Sequence, residues 1–153
     1  MDLETYAGYV AFLRLQEAGL TAVFDTVSRA DVTEMCDDLL ERLRFDLARL
    51  GADTVAVMSP PPGLHPLAVT YVLSGSRLGS SVLRQRWENG ALAQSGLPAA
   101  YMKAPEYLEI WRAFCSEARN LPATGAVADQ IVSDAIKVFQ VFQAAALAAF
   151  EKE

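Results

Sequence analysis

Apolar residues recur at helical spacing along most of this chain, and this periodicity constrains the fold more than any other feature. The clearest run is spaced three and four residues apart and comprises Met35, Leu39, Leu40, Leu43, Leu47 and Leu50. Side chains at this spacing share one face of an α-helix, so the segment predicts an amphipathic helix packed against a core. Asp31 and Glu34 have the spacing of a capping box at its start. Gly51 is suited to the left-handed turn that ends a helix.

Proline and glycine divide the rest of the chain into further segments. Helical periodicity predicts helices over residues 3–18, 66–87, 105–120 and 126–150. Gly19 is expected to interrupt the first of them, with a short continuation over 21–27. The only strongly β-forming run, 54–58, is short and has no partner segment, so no sheet is expected. The sequence therefore predicts an all-α fold of about six helices in a single domain over residues 1–153.

Composition and charge limit the expected partners. The 153 residues carry a net charge of -6, whereas a surface that binds nucleic acid is basic. Neither nucleic acid nor an anionic membrane is therefore expected as a partner. We see no signal-peptide pattern and no uncharged apolar run of about 18 residues, and expect a cytoplasmic protein without a membrane span. The two cysteines, Cys36 and Cys115, lack CxxC spacing and are expected as reduced thiols in the core.

The most informative segment places glycine and serine inside the helix predicted over 66–87. Gly75 and Gly79 are four residues apart and share a face, with Ser76 and Ser80 beside them. Each interior glycine costs a helix about 1 kcal/mol relative to alanine, so something is expected to approach the backbone closely here. One interpretation is tight packing of a second helix. The other is a flat surface for a planar ligand, and the pattern alone leaves both open.

The same segment carries a family resemblance. Residues 71–79 read YVLSGSRLG and resemble the distal-helix motif of bacterial haem oxygenases, especially the type associated with bacteriophytochromes. Segments 42–51 and 111–114 and the alanine-rich last helix are similar to further parts of that family, in the same order. The resemblance implies a haem-oxygenase-like multi-helix bundle, shortened at the N-terminus, without the helix that carries the family's iron-binding histidine.

The resemblance also implies an activity and candidate site residues. Haem would be the substrate, cleaved with dioxygen and electrons from a donor to biliverdin, carbon monoxide and iron. Gly75 and Gly79 would approach the porphyrin and its oxygen ligand. Ser76 and Ser80 would hold the water network there, so Ser76 and Gly79 are the catalytic candidates. Further candidates for haem binding are Tyr71, Arg77 and, opposite a propionate, Lys137.

The iron ligand stays unassigned at this stage. Haem iron is usually held by histidine, and His65 is the only histidine of the chain. It precedes Gly75 by ten residues, about 15 Å along a helix, and belongs to the same predicted wall of the pocket. We therefore expect His65 to be exposed or to cap the start of its helix, and keep it only as an alternative metal ligand. Ser74 stands where the related motif has glutamate.

Three functions remain open from the sequence. The first is a shortened haem oxygenase that still cleaves haem. The second is a non-catalytic module of the same fold that binds haem or another tetrapyrrole, or a protein partner. The third is a helical relative acting on another small molecule, as thiaminase-like proteins do, which needs a placed nucleophilic cysteine. Apolar surface left by a missing helix would favour interaction, so we expect either that the remaining helices rearrange or that two chains pair as a homodimer.

Overall fold

The computed structural model describes residues 3–151, and within them the protein is all helical, with no strand. Its five α-helices are α1 Tyr6–Val23, α2 Ala30–Arg49, α3 Pro66–Glu88, α4 Leu108–Ala118 and α5 Ala126–Glu151. Short 3-10 helices occupy Phe24–Thr26 and Ala91–Gln94. The expectation of an all-α fold is confirmed. The absence of a sheet at 54–58 is also as predicted.

The central helix is α1, and it organises the packing of the others. Its residues 8–13 are buried consecutively, so the helix is covered on every side rather than along one stripe. It packs against α2 and α5, while α3 packs against α5 and α4. The largest fully buried side chains of the core include Tyr9, Phe12, Leu13, Met35, Leu39 and Leu43. The leucine periodicity of α2 therefore marks the face that it turns toward α1.

Gly19 does not interrupt the first helix, and this prediction is wrong. α1 continues through Gly19 to Val23. A Cβ added at Gly19 would lie 2.3 Å from Cε1 of Phe142, a distance that real Cβ atoms essentially never show. The glycine therefore permits α5 to approach α1 closely, which compensates for its poor helix propensity.

Of the two predicted ends of α2, the C-terminal end is confirmed and the N-terminal end is wrong. The expected capping box is wrong, because α2 begins at Ala30 and places Asp31 inside its first turn, after an N-cap residue that makes no side-chain cap. The C-terminal end is as predicted. Gly51 adopts a left-handed φ of 62°, and the backbone N–H of Ala52 donates to the carbonyl of Leu47 at 3.0 Å. This is the Schellman arrangement that ends a helix at glycine.

Buried side chains hold the segment between α3 and α4. The fully buried carboxylate of Asp46 accepts hydrogen bonds from the backbone N–H groups of Ala100 and Tyr101, both at 2.9 Å. The hydroxyl of Tyr9 donates to the carbonyl of Pro98 at 2.7 Å. Backbone groups buried in an irregular segment need such partners. These contacts fix the path of the chain between α3 and α4 against α1 and α2.

The fourth helix is shorter than the sequence indicated. It begins at Leu108 rather than near Pro105, because Tyr107 takes a left-handed φ of 55° and makes a sharp turn there. The hydroxyl of Tyr107 donates a hydrogen bond to the carboxylate of Asp38 on α2. That contact ties the start of α4 to α2 and fixes the face that α4 presents to α3.

The last helix has one packed side and one exposed side. Its exposed apolar residues are Val127, Val132, Ile136, Phe139 and Leu147. By length and composition alone α5 could cross a membrane, with a mean hydropathy of 1.4 over a window that is 28% buried. This helix contains Asp134 and Lys137, so it is not the uncharged run considered from the sequence, and the expectation of no membrane span stays a prediction. The packing of α5 against α1 and α3 also gives it the role of a core helix.

Candidate functional site

The two glycines of α3 differ in their surroundings. A Cβ added at Gly75 would lie 3.2 Å from Cζ3 of Trp111, which is tighter than nine in ten real Cβ contacts. At Gly79, one helical turn further on, no atom of the described chain lies within 4 Å of that position. Tight helix packing therefore accounts for Gly75, where the indole of α4 covers the backbone. The surface at Gly79 is open.

Four aromatic rings from three helices form a contiguous surface, and one of them, that of Trp111, covers Gly75. We call this surface the aromatic patch, and it consists of Tyr71 of α3, Trp111 and Phe114 of α4, and Phe139 of α5. The centroid of the Tyr71 ring lies 5.5 Å from that of Phe114 and 6.4 Å from that of Phe139. These are ordinary distances for favourable aromatic pairs. Tyr71 is 40% exposed and Phe139 46% exposed, so part of the patch faces solvent.

The two candidate serines use their hydroxyls within α3. The Ser76 hydroxyl donates to the carbonyl of Leu73 at 2.9 Å, and the Ser80 hydroxyl donates to the carbonyl of Arg77 at 2.8 Å. Each therefore turns back along its own helix. A hydroxyl has only one proton, so donation to a ligand or a water would require it to rotate.

Arg77 lies away from the glycines. Positions two residues apart in an α-helix differ by about 200° around its axis. Arg77 is therefore nearly opposite both Gly75 and Gly79. Its side chain is buried, donates to the carbonyl of Pro105 at 3.0 Å, and places its guanidinium 5.2 Å from the ring centroid of Tyr101. The structure thus separates Arg77 from Tyr71 and the two glycines, whereas Ser80 lies on the same side of α3 as Arg77.

Lys137 also points away from the aromatic patch. It lies two residues before Phe139 on α5, so their side chains diverge by about 200°. The Lys137 ammonium is 3.5 Å from the buried carboxylate of Asp134. Asp134 in turn accepts a hydrogen bond from the backbone N–H of His65 at 2.8 Å. Lys137 therefore neutralises a buried acid at the junction of α5 with the start of α3.

His65 has the capping role that the sequence suggested. It is the N-cap residue of α3, and its Nδ1 accepts a hydrogen bond from the backbone N–H of Leu67 at 3.1 Å. A neutral imidazole with a hydrogen-bond acceptor at Nδ1 carries its proton on Nε2. Ligation of iron through Nε2 would move that proton to Nδ1 and remove the cap. Capping and iron ligation through Nε2 are therefore incompatible in this arrangement.

The two cysteines differ. Cys36 is fully buried, and burial together with the negative charge of Asp37 raises the pKa of its thiol to about 12. Cys115 is only partly buried, so the expectation of two core cysteines holds for Cys36 alone. Because the thiolate is the nucleophilic form, Cys36 is unsuited to covalent catalysis. Residues 3–151 contain no group of three or more His, Cys, Asp or Glu arranged to hold a metal ion.

No protein-family model, no curated protein and no solved structure matches this chain significantly. Its interpretation therefore depends on its own residues and their arrangement.

Sequence reasoning missed the rings that complete the site. It assigned no role in the candidate site to Trp111, Phe114 and Phe139, whereas the structure joins them to Tyr71 in one patch. A signal was present, since Trp111 and Phe114 are three residues apart and share a face of their helix. The spacing does not indicate which other helix packs against that face.

Proposed function

We propose that the protein is a non-catalytic member of the haem-oxygenase-like helical proteins and binds a planar tetrapyrrole on the aromatic patch. The observation that carries the proposal is the set of contiguous, partly exposed rings. The rings of Tyr71 and Phe139 are nearly perpendicular, at 87°, so a flat conjugated ligand stacks on the face of one and meets the edge of the other. Gly79 lies about 12 Å along α3 from Tyr71, and a ligand that extends so far meets no side chain of the described chain there. The YVLSGSRLG motif supports the choice of a tetrapyrrole among flat ligands.

The residues present do not fit the haem sandwich of an active oxygenase. The indole of Trp111 occupies the space over Gly75 that a porphyrin lying against that glycine would need. The only imidazole of the chain, that of His65, caps α3 through Nδ1. We therefore derive no iron-centred step from this chain. The ligand contacts the outer side of the patch, where its metal would make no bond to the protein.

The exposed rings of Tyr71 and Phe139 supply most of the binding free energy in this proposal. Each apolar ring face of about 100 Å² removed from water contributes roughly 2.5 kcal/mol. Losses of translational freedom and side-chain ordering offset part of this gain. Two such contacts give about 5 kcal/mol before that offset, which corresponds to a dissociation constant of about 0.2 mM or weaker. Trp111 and Phe114 are less exposed and stack on each other, with ring centroids 5.4 Å apart.

The experiment compares haemin with iron-free protoporphyrin by absorbance titration. Binding through ring contacts alone predicts dissociation constants that agree within about threefold, because an iron bond would add free energy only for haemin. His65→Ala is the control and should leave both constants unchanged. Haemin binding at least tenfold tighter than protoporphyrin binding, lost in His65→Ala, would contradict the proposal.

A turnover assay distinguishes the proposal from the enzymatic alternative. The haemin complex is mixed with a reductant in the presence of dioxygen, and biliverdin and carbon monoxide are measured. The proposal predicts no enzyme-dependent formation of either product. Formation of both at a rate above that of free haemin would instead identify a haem oxygenase.

The location and the oligomeric state are parts of the same proposal. The free thiols of Cys36 and Cys115 support a reducing, cytoplasmic compartment. The homodimer expected from the sequence stays a prediction, and the exposed apolar side of α5 is the surface available to it.

A further inference from the structure

Arg77 of α3 is a buried cation without a carboxylate partner. It is 4% exposed, and the ion pairs of the described chain do not include it. One of its terminal nitrogens donates to the carbonyl of Pro105, and the guanidinium lies over the ring of Tyr101. Its Nε–H has no hydrogen-bond partner within residues 3–151. Burial of an unpaired charge with an unused donor is unfavourable, so a further hydrogen-bond acceptor, either a water or a ligand oxygen, is expected to complete the arrangement.

Tyr101 cannot act as the missing counter-ion. Burial raises the pKa of its phenol above the ordinary value of 10.0, although the positive charge of Arg77 acts in the opposite direction. The phenol is therefore neutral at neutral pH. Its ring face attracts the guanidinium but provides no formal negative charge.

The Arg77 guanidinium lines a small cavity that opens at the protein surface. The cavity has a volume of about 10 Å³, and its other polar lining residues are Ser80, Ser81, Arg84, Tyr101 and Glu106. A volume of that size holds about one water-sized group, such as a single oxygen atom. Two guanidinium groups and one carboxylate leave the lining with a net charge of +1 on a protein of net charge -6.

The mouth of the cavity is organised by Arg84. Its guanidinium is 2.7 Å from the carboxylate of Glu106 and donates to the carbonyl of Ala104 at 3.3 Å. Ser81 lies one turn before Arg84 and can rotate its hydroxyl from the helix carbonyl of Leu78 toward a ligand. The lining therefore presents the N–H and O–H donors of Arg84 and Ser81 together with the buried guanidinium of Arg77.

We propose that this cavity binds one oxyanion, a carboxylate or phosphate group of a small ligand. One oxygen enters the cavity and accepts from Nε–H of Arg77, and the remaining oxygens lie at the mouth beside Arg84. Charge-assisted hydrogen bonds of this kind are the strong ones in proteins. The cavity lies on the side of α3 opposite Gly75, so it is separate from the aromatic patch, and the two proposals can fail independently.

The test follows the Arg77 Nε–H signal by nitrogen-15 NMR of the intact protein. Sodium acetate and sodium phosphate are added separately, each compared at constant ionic strength. We expect a saturable shift of the Arg77 signal with at least one of them. A shift with acetate alone identifies a carboxylate ligand, a shift with phosphate alone identifies a phosphate ligand, and both identify a general oxyanion site.

Matched variants establish that the shift reports the cavity. Arg84→Gln removes the charge at the mouth and should weaken binding roughly tenfold, as expected for loss of a charge-assisted contact. Arg86→Gln, an exposed change in the same helix, should leave the affinity unchanged. The wild-type signal provides the direct reading even if Arg77→Lys does not fold. No saturable shift with either anion, or an equal loss of affinity in Arg84→Gln and Arg86→Gln, would overturn the proposal.

Discussion

Gly19→Ala adds one methyl group at the closest contact between α1 and α5. The new Cβ would lie 2.3 Å from Cε1 and 2.4 Å from Cδ1 of Phe142, about 1.1 Å inside the 3.4 Å at which ordinary contact begins. The half-buried ring must move, or α5 must shift away from α1. Overpacking of this kind costs about 1–3 kcal/mol. Alanine recovers about 1 kcal/mol of helix propensity over glycine.

Because the clash is severe, we expect the packing cost to exceed the propensity gain by roughly 1–2 kcal/mol. For a chain of this size each kcal/mol shifts Tm by about 2–4 °C, so Tm should fall by about 2–8 °C. The measurement is thermal and urea unfolding followed by far-ultraviolet circular dichroism.

The matched control is Gly79→Ala, which places the same methyl group on a helix where nothing in the described chain opposes it. This variant should be stabilised by about 0.5–1 kcal/mol through propensity alone. A second test repeats Gly19→Ala in a Phe142→Ala background, where the methyl group should become stabilising. If Gly19→Ala raised Tm as much as Gly79→Ala does, the close packing of α1 on α5 would be refuted.

Three further predictions follow from buried groups. Iodoacetamide at pH 8 should label Cys115 but not Cys36, whose raised thiol pKa of about 12 leaves almost no thiolate; mass spectrometry of the native protein would contradict this by finding both modified. Asp46→Ala removes the acceptor of two backbone N–H groups and should cost roughly 3 kcal/mol in urea unfolding, and a loss below about 1 kcal/mol would argue against that role. Burial, then the hydrogen bond to Asp38, raises the Tyr107 pKa to about 12. The unfolded chain therefore binds fewer protons between about pH 10 and 12, so stability should fall as pH rises through that window, less steeply in Tyr107→Phe; an unchanged slope in the variant would count against it.

The helices were predictable because their signals are local. Apolar spacing in α2 and proline at the start of α3 act within one or two turns of the chain. Gly51 likewise ends α2 through contacts to the preceding turn. Such features can be read from sequence without knowing the tertiary arrangement.

The sequence could not distinguish a glycine that permits close helix packing from a glycine that interrupts a helix. The sequence indicated that something approaches Gly75, but Trp111 follows 36 positions later and its placement depends on how α4 packs. Gly19 was misread as a helix break for the same reason. The ring that requires a glycine there, that of Phe142, belongs to the last helix.

The buried charged residues could have been recognised in the sequence from their helical spacing. Asp46 lies seven residues after Leu39 and three after Leu43, so it falls within the apolar stripe of α2 rather than on its solvated face. Arg77 similarly follows Leu73 by four residues on the buried side of α3. A charged residue inside an apolar stripe predicts a buried polar contact, although it does not identify the partner.

The most direct test of the proposed function compares two exposed phenylalanines in protoporphyrin binding. Phe139 belongs to the aromatic patch and is 46% exposed, whereas Phe45 lies on α2 and is 54% exposed. The account predicts that Phe139→Ala weakens binding about tenfold, equivalent to ~1.4 kcal/mol, and that Phe45→Ala changes it less than about twofold. Equal effects of the two substitutions, or no saturable binding to the wild-type protein, would contradict the assignment of the aromatic patch as a tetrapyrrole site.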